Sequence, residues 1–186
     1  MEFILLGLIL FICGWFYMAY TEVIKTKNIV REASSCIDVQ LRKRYDLIPN
    51  VLTIAQKFME HEKNLIEEIT KLRTLAMHAK SGTSSYMAAN AQLDSLLTQF
   101  KISVENYPNL KSDTTMLQAM QTYNEVEEHI SAARRFYNSA LTQLKNSTQI
   151  FPGTIFANLA TEELTYVYYE TAESIKQPIN ASDYLK

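Results

Sequence analysis

The chain has 186 residues with only 4 glycines and 4 prolines, so tight turns are few and long helices are expected. Its net charge of −2, with acids and bases interspersed, argues against a dedicated nucleic-acid binder. The 2 cysteines, Cys13 and Cys36, cannot build a metal cage by themselves, and Cys13 lies in an apolar run where a structural disulfide is not expected.

The first element is apolar. Phe3 to Tyr20 contains no formally charged residue. As a helix it would span roughly 27 Å, close to the thickness of a bilayer core. Trp15, Tyr17 and Tyr20 gather at its far end, where amphipathic rings favour the headgroup level. A cleaved secretory signal would need a basic start and well-placed small residues, and only Met1 and Glu2 precede this run. The segment 3–20 therefore reads as an uncleaved transmembrane anchor. Lys25, Lys27 and Arg31 follow it and no Lys or Arg precedes it. By the positive-inside rule the N-terminus lies outside and the rest of the chain is cytoplasmic.

From 23 to 80 the spacing predicts one long helix. Ile37, Leu41, Ile48, Leu52, Ala55, Met59, Ile66, Ile69, Leu72 and Ala76 step by three, four or seven, as one apolar face requires. Lys80-Ser-Gly-Thr-Ser84 ends it, with Gly82 as the turn residue. A second helix is expected from about 85 to 104, with Leu93, Leu96, Leu97 and Phe100 inward. Pro108 marks the next connection, and Ser112 or Asp113 can cap a third helix that reaches about Gln149. Its inward residues are Leu117, Met120, Ile130, Ala133, Tyr137, Leu141 and Leu144. Phe151-Pro152-Gly153 ends it, and Thr161 can cap a last helix from Glu162 to about Ile175. The fold class is all-α: a transmembrane helix (3–20), an antiparallel bundle of about four helices with coiled-coil-like spacing (21–176), and a C-terminal tail (177–186).

Two polar stretches interrupt this apolar plan. Residues 37–50, IDVQLRKRYDLIPN, pack Asp38, Arg42, Arg44, Tyr45 and Asp46 ahead of Pro49 and Asn50. Asp38 and Arg42, then Arg42 and Asp46, stand four apart and can pair along a helix. In the third helix Glu127, Ser131, Arg134 and Asn138 form a polar stripe, with Arg135 beside it. The two stretches are expected to meet as ionic contacts between the first and third helices, Asp38 facing Arg134 or Arg135, and to set register. Pro49 removes the helical partner of the Tyr45 carbonyl. The apolar phase continues to Leu52 and Ala55, so a kinked helix is expected rather than a terminated one. Asn50 either bonds the loosened backbone or faces water.

The stretch 37–50 also closely resembles the signature of the LemA family. A second block, Ala132-Ala-Arg-Arg-Phe-Tyr-Asn138, resembles that family too, as do Tyr107-Pro-Asn-Leu-Lys111 and the Phe151-Pro152 step, in the same order. The chain departs from the family pattern at Ser34 and at Val126-Glu127-Glu128. The resemblance implies a bacterial inner-membrane protein with a short external N-terminus and a cytoplasmic long-helix bundle. It brings no enzymatic reaction with it.

The residues themselves point the same way. A di-metal carboxylate bundle needs Glu three positions before each ligand histidine. Before His61, His78 and His129 stand Phe58, Leu75 and Val126. There is no nucleophile elbow and no Gly-rich phosphate loop. Cys36 reads as a small buried apolar residue. No catalytic residue, metal or cofactor is expected. The reading is a non-enzymatic, membrane-tethered scaffold, with the bilayer as one partner, copies of itself as another, and an unidentified protein as a third. The alternatives are an accessory or sensor for a membrane protease or signalling system, and, behind it, a metal-binding enzyme.

Overall fold

The computed structural model describes residues 1–169. Helix α1 runs from Glu2 to Gln56, 55 residues without interruption, and so joins the apolar N-terminal segment directly to the bundle. At the standard rise it is roughly 83 Å long. Its first part is long and apolar enough to cross a membrane, and among the described residues none of its most apolar 18-residue window is buried. From Val23 onward one face is buried: Val23, Thr26, Val30, Ala33, Ile37, Leu41, Arg44, Ile48, Leu52 and Ala55 recur every three or four residues.

The expected single helix over 23–80 is two. The chain leaves α1 at Lys57, passes through a 3-10 turn at Glu60–Glu62, and enters α2, Lys63–His78. Met59, with φ −109° and ψ 61°, turns the backbone while its side chain stays 1% exposed. The apolar phase thus carries through a reversal that contains neither Gly nor Pro. Helix α2 runs back along α1: Arg73 reaches Tyr45 and Ser81 reaches Asp38. Gly82, at φ +77°, makes the next turn, in a conformation L side chains disfavour. Helix α3, Ser84–Glu105, is capped by the Thr83 hydroxyl, which accepts from the Tyr86 N–H at 3.3 Å. A short α4, Pro108–Lys111, leads to α5, Thr114–Gln149. Of the two candidate caps it is Asp113 whose carboxylate accepts the Met116 N–H, at 2.9 Å.

Helix α5 lies antiparallel to α1 along most of the bundle, from Glu127 beside Arg44 to Ser147 beside Thr26. The long helices are therefore α1, α2, α3 and α5, in up-down-up-down order. After α5 a 3-10 segment, Gly153–Ala160, folds back against α1. Its first residue must be glycine, because a Cβ there would meet the Ser147 carbonyl oxygen at 1.8 Å.

Three further expectations need correction. Leu117 is 54% exposed, and its neighbour Met116, at 1%, takes the core position. Cys36 is exposed, because Ala33 and Ile37 occupy the buried face of α1 on either side of it. The last helix, α6, is only Thr161–Leu164, with Ala160 rather than Thr161 at its cap position. Its continuation is not helical: the Tyr137 hydroxyl donates to the Val167 carbonyl at 3.1 Å, and Asn138 bonds the Tyr169 backbone. The expected extension to Ile175 and the tail at 177–186 lie outside the described residues.

Pro49 sits inside α1, and the helix continues through it. The Tyr45 carbonyl it leaves without a partner accepts the Arg73 Nε–H from α2, at 2.5 Å. Asn50 is exposed and takes no part. Replacing Arg73 with Met is expected to destabilise the fold by about 1–2 kcal/mol, the usual penalty for orphaning a carbonyl. In a Pro49→Ala background the new N–H can serve Tyr45, so the same replacement should cost clearly less. Thermal unfolding of the four variants in detergent measures this. Equal losses in both backgrounds would contradict it.

Candidate functional site

The polar residues of the two singled-out stretches converge on Arg44. Its side chain is 0% exposed, midway along the bundle between α1, α3 and α5. One guanidinium nitrogen bonds Asp94 of α3 and lies 3.3 Å from Glu127 Oε1 of α5. A second donates to Asn90 Oδ1 of α3 at 2.8 Å. Asn90, also buried, accepts the Tyr45 hydroxyl at 2.7 Å on the same oxygen. Its amide donates to the Tyr86 carbonyl one turn earlier, at 2.9 Å. Asp94 uses its second oxygen to accept from Arg134 Nη2 of α5 at 3.0 Å. Arg134 in turn lies over the Tyr169 ring, 5.4 Å from its centre. One carboxylate thus bridges two arginines from different helices.

Burial by itself would lower the pKa of the Arg44 guanidinium. The facing carboxylates of Asp94 and Glu127 outweigh that and hold it above its ordinary value. The surrounding tyrosines are shifted upward, chiefly by burial. For Tyr86 the Asp38 carboxylate adds to the effect, and for Tyr45 the Arg44 charge partly opposes it. Tyr137 is pushed up to about 12. These hydroxyls therefore stay protonated and act as donors: Tyr86 to Asp38 at 2.8 Å, Tyr45 to Asn90, Tyr137 to Val167.

Arg44, Tyr45, Glu127 and Arg134 meet in one node. The expected pairing of Asp38 with Arg134 or Arg135 does not occur. Asp38 instead accepts from Ser81 at 2.9 Å and from Tyr86, because the α2–α3 turn packs over it. Among the described residues Arg135 reaches only Ser131 on its own helix, at 3.2 Å. Arg42 pairs with Asp46 at 3.5 Å, but both side chains are more than half exposed, so the pair contributes little. Asn138 grips the backbone of Tyr169 in both directions, donating at 2.9 Å and accepting at 3.0 Å. Asn90 and Asp94 escaped the sequence reading. The sign was there for Asn90: it falls in phase with Tyr86, Leu93, Leu97 and Phe100, a polar residue on an apolar stripe.

A second charged contact lies nearer the anchor. Glu163 of α6, 1% exposed, accepts from Arg31 Nε at 2.5 Å, with Lys27 Nζ 4.0 Å away. Lys27 also donates to the Leu159 carbonyl at 2.6 Å. Two of the three basic residues that follow the anchor therefore hold the fold together as well. Among the described residues, no three His, Cys, Asp or Glu side chains converge as a metal cage would need.

The profile of the LemA family matches residues 33–181, which includes both polar stretches and the whole Arg44 node. A curated relative, Protein LemA of Metamycoplasma hominis (strain ATCC 23114), is 26% identical over 142 residues. The match covers 74% of this chain and 65% of that relative, so the chain spans somewhat less than two thirds of the relative's length.

The node makes a quantitative demand. Truncating Asp94 to Ala leaves Arg44 buried with weakened compensation, and should destabilise the fold by about 3 kcal/mol. A double-mutant cycle between Arg44 and Asp94 should show a coupling of about 1–3 kcal/mol, while one between Asp38 and Arg134 should show almost none. Chemical denaturation of the variants in detergent checks both. Strong coupling between Asp38 and Arg134 would overturn the arrangement.

Proposed function

The chain belongs to the LemA family, and on that premise we propose that it is a non-enzymatic scaffold tethered to the bacterial inner membrane, which self-assembles there and presents its bundle to cytoplasmic partners. The observation that carries this reading is the unbroken course of α1. One helix runs from an uncovered apolar segment into the packed core, with no linker between. A bundle mounted in this way has a set position relative to the bilayer and cannot diffuse away from it. Confinement to the membrane plane also raises the effective concentration of identical copies, which favours assembly.

The use of the buried charges supports a binding role over a chemical one. Arg44 and Arg134 balance Asp94 and Glu127 across three helices, and Glu163 is engaged by Arg31. Groups committed to each other in this way act as register locks. Lys25, Lys27 and Arg31 behind the anchor favour a cytoplasmic bundle.

Light scattering of the full chain in mild detergent tests the assembly. The expected mass corresponds to several chains per particle, and a strict monomer would count against self-association. Protease added to intact spheroplasts tests the orientation. The C-terminal domain should survive there and be digested in inverted vesicles, and the reverse pattern would refute a cytoplasmic bundle.

A further inference from the structure

The connection that follows α5 has an unusual surface. From Asn146 to Thr161 there is no formally charged residue. Ile150, Phe151, Ile155 and Leu159 within it are 66%, 59%, 55% and 39% exposed. A contiguous exposed apolar surface of this kind marks contact with a partner or with lipid.

Its position decides which. The Phe151 ring meets Trp15 and Phe16 edge-on, at centroid distances of 5.6 and 6.2 Å. Phe156 meets Tyr20 at 5.6 Å. These partners belong to the far end of the apolar anchor, where aromatic rings mark the bilayer boundary. The segment is also held in place. Gly153 lies against the Ser147 carbonyl and beside Val23, and Lys27 fastens the Leu159 carbonyl. A bilayer surrounding the anchor up to Tyr20 therefore reaches this segment as well. Trp15 lies roughly 7–8 Å below Tyr20 along the helix. That is the depth at which interfacial elements bury their apolar face.

We propose that residues 150–159 form a second membrane-contact element, a short wedge whose exposed apolar side chains enter the headgroup and upper acyl region. Attachment at two points, the anchor and the wedge, fixes the rotation and tilt of the bundle as well as its distance from the membrane. The inference rests on the reading of Phe3–Tyr20 as a bilayer span.

Depth-dependent quenching tests the two separately. Single cysteines are placed by Ile9→Cys, Ile102→Cys or Ile155→Cys in the full chain, with Cys13 and Cys36 replaced by Ser. Each is labelled with an environment-sensitive fluorophore and reconstituted into phosphatidylcholine–phosphatidylglycerol vesicles. A label at 155 should be quenched more by a nitroxide near the lipid headgroup than by one deep in the acyl chain. A label at 9 should show the opposite order, and one at 102 should respond only to aqueous iodide. If 155 behaves like 102 while 9 is quenched from the deep position, the wedge is wrong and the anchor stands. If 9 is not quenched by lipid, the anchor reading fails and the wedge with it. Shielding of 155 from both lipid and iodide would mean that protein, such as a second copy, covers the patch, and would overturn the proposal.

Discussion

The continuity of α1 is the constraint on which the rest of the structure depends. A helix transmits orientation along its axis because each turn is hydrogen-bonded to the next. With no break between Tyr20 and Val23, the face that packs in the bundle is fixed relative to the faces of the apolar segment before it. Helix α5 then follows the same axis in the opposite direction, held by Thr26 against Ser147 at 2.9 Å near the anchor and by Arg44 against Glu127 farther out. The connection after α5 is delivered back to Trp15, Phe16 and Tyr20 of the apolar segment as a consequence. Helices α2 and α3 form a hairpin that covers only the distal part of this pair, and its turn at Gly82 sits over Asp38.

The Arg44 node serves that constraint. A buried guanidinium adds little net stability, since the loss of hydration offsets most of its attraction to carboxylates. It does penalise misalignment strongly. A slip of α3 or α5 by one turn would separate Arg44 from Asp94 or Glu127 and leave a charge buried without compensation. Leucine contacts alone would tolerate such a slip much better. Pro49 works with this node. It loosens α1 one turn beyond Arg44 and obliges α2 to supply the missing donor through Arg73, so α2 too has one favoured register. The charge-dense stretch at 37–50 is thus a point where three neighbouring helices are set against α1.

The period of the apolar residues made the all-α class and most of the core legible, because burial on a helix face is a local property. The candidate membrane span was legible from its length and its lack of charge alone. The turn after Gln56 was not. It is made by Met59 in a non-helical conformation, and a buried methionine preserves the apolar phase that would otherwise have signalled a break. The short α6 was missed because its end is set from a distance, by Tyr137 and Asn138 engaging the backbone of Val167 and Tyr169. In the site, Arg44 stood out within a charge-dense stretch and Arg134 within a polar stripe, whereas Asp94 did not, since it sits alone, one position beyond Leu93 on a partly exposed flank. A long-range contact leaves no spacing rule in the sequence, so Asp38 was matched with arginines it does not meet, while its partners are Ser81 and Tyr86.

The most direct test of the account measures α1 across the junction of anchor and bundle. Nitroxide labels at Phe11→Cys and Glu32→Cys, both exposed positions on α1, with Cys13 and Cys36 replaced by Ser, would be read by pulsed electron-electron resonance in reconstituted bilayers. An unbroken helix places them roughly 32 Å apart along its axis and predicts a single narrow distance distribution. A broad distribution, or one centred well below that distance, would show a hinge between anchor and bundle and contradict the central claim.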